Sequence, residues 1–373
     1  MIGSLLVLNA GSSTLKYAAY RAEGGGLGEI VRGKLEGTDP ARALALLDER
    51  LAAIAPGDEP FAVGHRVVHG GARFEAPVVV DDGISRELDA LLPLDPLHQA
   101  PSLAALSAAR AHYPAALHVA CFDTAFHRSH SEVADAIALP RPLRDAGLRR
   151  YGFHGLSYEY IAGRLREVDP VLARGRVVVA HLGNGASLCA LREGRSVDST
   201  MTFTALDGLV MGTRPGSLDA GALLWLLGQG WDRERLSRLL WNESGLLALS
   251  GISSDMRELL GNDAPSARFA VEVFVWTAAK QVAAMAASLG GLDALVFTAG
   301  IGENQPETRT RLARRLTFLG VELDEEANRR GDVRISPAGA RVATFVIPTD
   351  EEIVIARHVR LLSETTSRKR GTR

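Results

Sequence analysis

An apolar run that stops at a short polar turn and then resumes occurs twice in this chain, and it constrains the fold more than any other feature. The first copy runs from Leu5-Leu6-Val7-Leu8 through Asn9-Ala10-Gly11-Ser12-Ser13-Thr14-Leu15-Lys16 to a second apolar stretch at residues 17–20. The second runs from Val177-Val178-Val179-Ala180 through His181-Leu182-Gly183-Asn184-Gly185 to residues 186–191, and a third strand is expected near residues 196–200. Each copy reads as strand, tight turn, strand. A turn rich in Gly and Ser exposes backbone N–H groups and hydroxyls to an anion, and in the first copy Lys16 adds a positive charge. Most turns of this kind bind nothing, so recurrence is what gives them weight.

Later in each half a strand runs into another polar turn. In the first half residues 117–122 lead into Asp123-Thr124. In the second, residues 292–298 lead into Ala299-Gly300-Ile301-Gly302-Glu303-Asn304. Hairpin, helix, then strand and turn, twice over, points to a duplicated α/β fold with a cleft between the copies. Helices are expected over residues 102–112, with Pro101 at or just before the first turn, and over residues 268–289, stopped by Gly290-Gly291. The length of 373 residues also favours two domains.

Several function classes fall away. A formal net charge of -2 argues against a nucleic-acid partner. No run is read as a membrane span, and Met1-Ile2-Gly3-Ser4 enters a strand without a basic leader. Cys121 and Cys189 sit in apolar segments and read as buried free thiols, with no metal-ligand Cys/His spacing. Together these place the chain in the cytoplasm. Residues 367–373 read as a solvated, disordered basic tail. The G-x-x-x-x-G-K-[ST] and protein-kinase signatures are absent, and the two G-x-G turns lack the third glycine of a dinucleotide fingerprint.

What remains suits a nucleotide phosphate. Phosphoryl transfer needs cations, a metal and a positioned acceptor more than covalent chemistry. Arg66, in Gly64-His65-Arg66-Val67-Val68-His69-Gly70-Gly71, and Arg214, in Met211-Gly212-Thr213-Arg214-Pro215-Gly216, are framed by glycine. Their planar forks match phosphate or carboxylate, although an arginine is more often a solvated surface charge. Six histidines lie near the turns: His65, His69, His98, His127, His154 and His181. Any one of them is more often structural. Asp123 can be read as a metal-shell residue, a base or a helix cap.

Assembled in order, these segments, with Tyr151-Gly152-Phe153-His154-Gly155 and residues 250–257, resemble the acetokinase family of the actin-like ATPase superfamily over nearly the whole chain. The resemblance implies two ribonuclease-H-like domains in the actin-like ATPase and sugar kinase architecture. The first would be 1–125 plus 353–373. The second, 126–352, would carry most nucleotide contacts. It implies a homodimer and Mg2+-dependent (or Mn2+-dependent), reversible transfer of the ATP γ-phosphate to acetate, giving acetyl phosphate and ADP. Arg66 and Arg214 match arginines on the carboxylate and the transferring phosphoryl, Asp123 the aspartate beside them, and His154 a histidine that stabilises the transition state. Asn9 and Glu351 match metal-linked residues. Ser12, Thr14 and Lys16 fall on the phosphate turn. His181, Gly183, Asn184, Gly185 and Gly212 fall near the phosphates, and Asp255, Met256, Arg257, Gly300, Ile301, Gly302 and Asn304 near the nucleotide. Val68, Leu97, His98, Phe153 and Ala205 match the acyl pocket beside Arg66. Because acetate is already ionised at neutral pH, no strong base is required, and Asp123 is then a positioning residue.

The chain also departs from the family pattern. Gln99-Ala100-Pro101-Ser102 replaces Asn-Pro-Pro-Asn, Tyr158 a usual histidine, Ala205 a pocket proline, and Asp350 a usual asparagine. Loss of the proline ring makes room for about one methylene, worth roughly 1 kcal/mol of burial, and favours propionate relative to other members. Asp350 adds charge beside Glu351 and is expected to alter the Mg2+ dependence. A propionate- or butyrate-type acyl kinase is the alternative within enzymes. An actin-like nucleotide-switched binding protein is the alternative outside them, but it would have no carboxylate for an arginine pair to hold.

Overall fold

The computed structural model describes residues 3–11, 14–23, 26–37, 39–57 and 59–371. It divides into two compact units, residues 1–126 with 350–373, and residues 127–349.

In the first unit, strands β1 (Ser4–Ala10), β2 (Thr14–Glu23), β3 (Gly26–Glu36), β4 (Pro60–Val67), β5 (Val78–Val79) and β6 (Leu117–Phe122) form one sheet in the order β3-β2-β1-β4-β6-β5. β1 is buried along its whole length, as an unbroken apolar run in a central strand should be. β3 mixes charged and apolar residues and takes the edge. β1, β4 and β6 are parallel to one another; β2 and β3 are antiparallel additions. The helix Pro40–Ile54, capped by the Asp39 carboxylate on Ala41 N and Arg42 N, buries Ala43, Leu44, Leu47 and Leu51. These side chains join Leu6, Leu8, Tyr17 and Val63 in one core cluster. On the sheet, the helix Glu351–Gly371 packs against β1 and β4. Gly64 makes that approach possible, because a methyl group there would stand 2.5 Å from Ile355 Cγ2 and 2.6 Å from Val359 Cγ2.

The second unit repeats the plan. β7 (Arg176–Leu182), β8 (Ala186–Arg192), β9 (Arg195–Ser199), β10 (Ala294–Thr298) and β11 (Ala343–Val346) are ordered β11-β10-β7-β8-β9. β7, β10 and β11 are parallel, and β8 and β9 are antiparallel. Two mixed sheets with one topology are the duplicated actin-like fold expected from the sequence. One correspondence needs correcting. Topology equates β10 with β4, which carries Arg66, and β6 with β11; the sequence reading had paired β6 with β10. Both are strands running into polar turns, and only the order of neighbours separates them.

Three local expectations also change. The helix over residues 102–112 starts earlier, as Pro96–His112, with Pro101 inside it. Pro96 takes the first helical position, where a missing N–H costs nothing, and Pro101 follows within the second turn. Residues 299–304 form a short helix, not an open turn. Residues through Gly371 continue the last helix, where a disordered tail was expected; no Gly or Pro interrupts residues 351–370. The helix Pro265–Leu289 ends at Gly290 with φ +71°, as expected. By length and composition it is apolar enough to cross a membrane, which the sequence reading had overlooked. Half of its apolar window is buried, with Ala270, Phe274, Ala278 and Val282 facing the core, so it serves here as a core helix.

Candidate active site

In each unit the parallel strands end on the same edge of their sheet, and turns at such carboxyl ends converge on a ligand. The sequence-derived candidates gather at these two edges.

In the first unit β1 delivers Asn9, β4 delivers Arg66 and β6 runs into Asp123. Arg66 donates from Nε to Asp123 Oδ1 at 2.9 Å and from Nη2 to Asp123 Oδ2 at 2.5 Å. Its Nη1 donates to Asn9 Oδ1 at 3.3 Å. Asn9 Nδ2 donates to Glu351 Oε2 at 3.1 Å and to Glu352 Oε1 at 3.0 Å. Burial works against the guanidinium's charge, but Asp123 and the two glutamates outweigh it and push its pKa up. Strand alternation turns the neighbouring His65 to the other face, where its Nε2 lies 3.0 Å from His118 Nδ1 in the core. Gly71 N donates to His69 Nδ1, and Gln99 spans the His69 backbone by accepting from its N and donating to its O. His98 sits on Asp95. These three histidines therefore have structural partners. Thr14 closes the first turn, its carbonyl accepting from Gly11 N, and Lys16 stands opposite Asn9 in the ladder. Ser12 lies outside the described residues. Asp350 accepts from Ile353 N at the start of the last helix and pairs with Arg32 Nη2 at 2.7 Å, so its extra charge is met locally.

In the second unit His154 precedes the helix Gly155–Val168 with φ +58°, a left-handed conformation uncommon outside glycine. Such strain persists only where surroundings fix it, and it marks functional positions. Gly152 (φ +76°) allows the close approach beneath: its missing side chain would stand 2.4 Å from the His127 ring. His127 donates from Nε2 to Phe153 O and contacts Ser196 Oγ through Nδ1; burial drives its pKa down to about 3, so it is a neutral strut. The His154 and His181 rings stack with centroids 4.2 Å apart. Ser157 Oγ lies 2.9 Å from His181 Nδ1. Arg214 donates from Nη1 to Ala205 O at 2.7 Å and lies over the Trp241 ring. A methyl group on Gly185 would stand 2.7 Å from Arg214 Nη2 and 3.5 Å from His154 Nε2. The turn, the arginine and the histidine thus share one small volume. Gly185→Ala is expected to lower kcat at least tenfold while Tm moves little, because the displaced group is a side-chain end. Steady-state kinetics with a thermal melt checks this; unchanged kcat would detach the turn from the site.

Alongside lies a cavity of about 470 Å3 lined by Gly183, Asn184, Met256, Gly300, Ile301 and Asn304 among others, a size suited to a nucleoside. Asp255 and Arg257 are on its wall, paired with each other at 2.5 Å, and Asp255 caps the helix Met256–Leu260. Asn304 Nδ2 donates to Gly300 O. Gly302 is buried within the helix Ala299–Asn304, against Phe297 and Ala180, and Gly212 packs on Asn184, so both shape the wall from behind. Of the acyl-pocket candidates, Val68 and Leu97 are in the first unit, 5% and 46% exposed, and Phe153 and Ala205 are buried in the second.

Sequence reasoning missed several residues. Glu303 accepts from Ala299 N at 2.7 Å and Thr349 N at 3.1 Å, tying β10 to the chain beyond β11. Arg309 is fully buried and donates to the carbonyls of Gly302 and Glu303. Tyr158 and Ser187 stand behind His154. The signal for the last two was available: Tyr158 is one helical turn from His154, and Ser187 is opposite His181 across the hairpin.

The sequence model of the acetokinase family matches residues 28–357. An acetate kinase of Nitrobacter hamburgensis is 47% identical, covering 95% of each chain, and one of Rhodopseudomonas palustris is 49% identical, covering 96% of this chain and 98% of that protein. Among solved structures, the Porphyromonas gingivalis acetate kinase matches with a TM-score of 0.86 at 33% identity, over 96% of this chain and 99% of that one. A propionate kinase from Francisella tularensis matches with a TM-score of 0.87 at 32% identity over the same shares.

Proposed function

This chain belongs to the acetokinase family, whose members are phosphotransferases with a carboxyl-group acceptor, and from that premise we propose the particular reaction and the part each residue plays in it. It transfers the γ-phosphate of ATP to acetate, reversibly, giving acetyl phosphate and ADP. The single observation that supports the assignment of roles is Arg66, held charged and gripped on two edges at a strand end with part of its fork on Asn9. A carboxylate nucleophile arrives deprotonated, so the protein has repulsion between anions to overcome and no proton to remove. Arg66 binds the carboxylate. Arg214 and His154 oppose the charge on the transferring phosphoryl, donors fixed in place before the reaction. Asp123 orients Arg66. The cavity by Asp255, Ile301 and Asn304 takes the nucleoside.

Mg2+ and Mn2+ take hard oxygen ligands, often only one or two carboxylates with phosphates for the rest, and Glu351 would be the carboxylate for such an ion, beside Asn9, which donates from Nδ2 to Glu351 Oε2 and turns its Oδ1 to Arg66. When bound, the ion would supply charge neutralisation at the phosphates. A cytoplasmic homodimer belongs to the same proposal. Leu224, Trp225 and Leu227, exposed on the helix Ala220–Gly228, are the face we assign to the second copy.

The test is ADP release by the purified protein with Mg2+ and ATP, with acetate, propionate or butyrate, trapping the acyl phosphate with hydroxylamine. Carboxylate-dependent ADP with matching hydroxamate is expected; ADP release indifferent to every acid would overturn the assignment. Ala205, buried where relatives usually carry proline, favours a second acceptor. kcat/KM for propionate is expected within about a hundredfold of that for acetate, since one methylene is worth roughly 1–3 kcal/mol. A larger gap would mean that the backbone has closed over the missing ring.

A further inference from the structure

Behind His154 lies a short relay in which every proton can be counted. Tyr158 is wholly buried, and among the described residues its hydroxyl has one polar neighbour, Ser187 Oγ at 2.5 Å. Ser187 is equally buried, and its hydroxyl has two such neighbours, Tyr158 and His154 Nδ1 at 2.8 Å. A buried donor without an acceptor is costly. The Tyr158 proton can go only to Ser187 Oγ. With that lone pair taken, the Ser187 proton points to His154 Nδ1, which must accept it. His154 is then the neutral tautomer with its proton on Nε2, the atom on the Gly185 and Arg214 side. Burial keeps Tyr158 protonated by pushing its pKa far above the ordinary value, so the donor end of the relay does not fail at neutral pH.

We propose that Tyr158, acting through Ser187, is a positioning residue that holds His154 as a neutral Nε2–H donor. This rests on the phosphoryl role given to His154 above. The residue type matters. A histidine at position 158, the usual one in the family, can present either a proton or a lone pair to Ser187 and leaves the direction of the relay open. Tyrosine in this environment presents only a proton. Among the charged and titratable groups facing His154 within its unit are His181, stacked on its ring, and Arg214 beyond Gly185. The guanidinium further disfavours an imidazolium beside it. Protonating Nδ1 would turn Ser187 into an acceptor twice over and strand its own proton. The relay thus favours the neutral ring over one protonated on Nδ1.

The experiment is nitrogen-15 NMR of the histidine rings in the full-length protein, with His154→Gln assigning the resonance, and pH profiles of kcat and KM. In the wild type the His154 ring should show the Nε2–H tautomer at about pH 7 and no titration near about 6.5, the ordinary imidazole value. In Tyr158→His the imidazole introduced at that position can take the Ser187 proton, which frees Ser187 to accept from His154 Nδ1. The His154 ring should become a tautomer mixture that titrates, and kcat should fall about tenfold with a new acid limb, while KM for ATP holds. Ser187→Ala should do the same. A wild-type ring carrying its proton on Nδ1, an imidazolium at neutral pH, or an unchanged tautomer in Tyr158→His would overturn the proposal. The wild-type spectrum decides even if a variant folds poorly. Full turnover in His154→Gln would instead remove the phosphoryl role and leave the tautomer result standing.

Discussion

Replacing Arg66 by alanine is expected to cost at least a thousandfold in kcat/KM for acetate, about 4 kcal/mol of transition-state stabilisation, and to destabilise the fold as well. The catalytic loss follows from removing the group we assign to the carboxylate, where fixed charge in a dry site counts most. The second loss follows from what Arg66 leaves behind. Asp123 is 1% exposed and spends both oxygens on the guanidinium. Breaking a buried pair from one side typically costs about 3–5 kcal/mol, because the remaining charge loses the opposite charge that compensated its burial. Adding Asp123→Asn to Arg66→Ala should recover much of the stability and none of the activity. Urea unfolding and steady-state kinetics on the single and double variants separate the two effects. Near-normal turnover in Arg66→Ala would break the assigned mechanism; equal midpoints in the single and double variants would show that Asp123 is not stranded.

Arg214→Ala is expected to lose a similar factor in kcat/KM and to leave the unfolding midpoint within about 1 kcal/mol of wild type. Here the named partners are the Ala205 carbonyl and the face of Trp241. Neither of these two is an anion, so what truncation removes from them is packing and a hydrogen bond to a neutral acceptor. The nucleoside cavity does not include Arg214, so nucleotide affinity by calorimetry should hold while turnover falls. A loss of nucleotide binding equal to the loss of turnover would place Arg214 on the nucleotide instead. The contrast between the two arginines is the sharper test, because a generic need for positive charge would move both variants alike.

How much of this could be read beforehand depended on the range of the interaction. Gly-rich turns after apolar runs, the hairpins they join and the Gly290 stop are local, and each was legible. That Asn9, Arg66 and Asp123 meet follows from three parallel strands ending on one edge. Strand order is non-local, and the same blindness led β6 to be matched with β10. Pro101 was read as a boundary because proline usually breaks helices; Pro96, five residues earlier, had already begun this one. Tyr158 was noted as a departure, but its meaning needs the proton count at Ser187, which depends on burial that no spacing encodes. Asp350, expected to act through its charge beside Glu351, also caps the last helix and pairs with Arg32, contacts that no local spacing encodes.

The helix Glu351–Gly371 carries one more consequence. It lies on β1 and β4, strands made at the opposite end of the chain, and supplies the carboxylates that Asn9 holds. On a ribosome adding about 5–20 residues per second, the first unit must wait through synthesis of the entire second unit for its own last piece. Its sheet can assemble early, but Asn9 has no glutamates until residues 351 and 352 have been added. Competence therefore comes late and all at once, and a nascent chain halted before residue 350 would hold a sheet, a paired Arg66 and no glutamates at the end of β1.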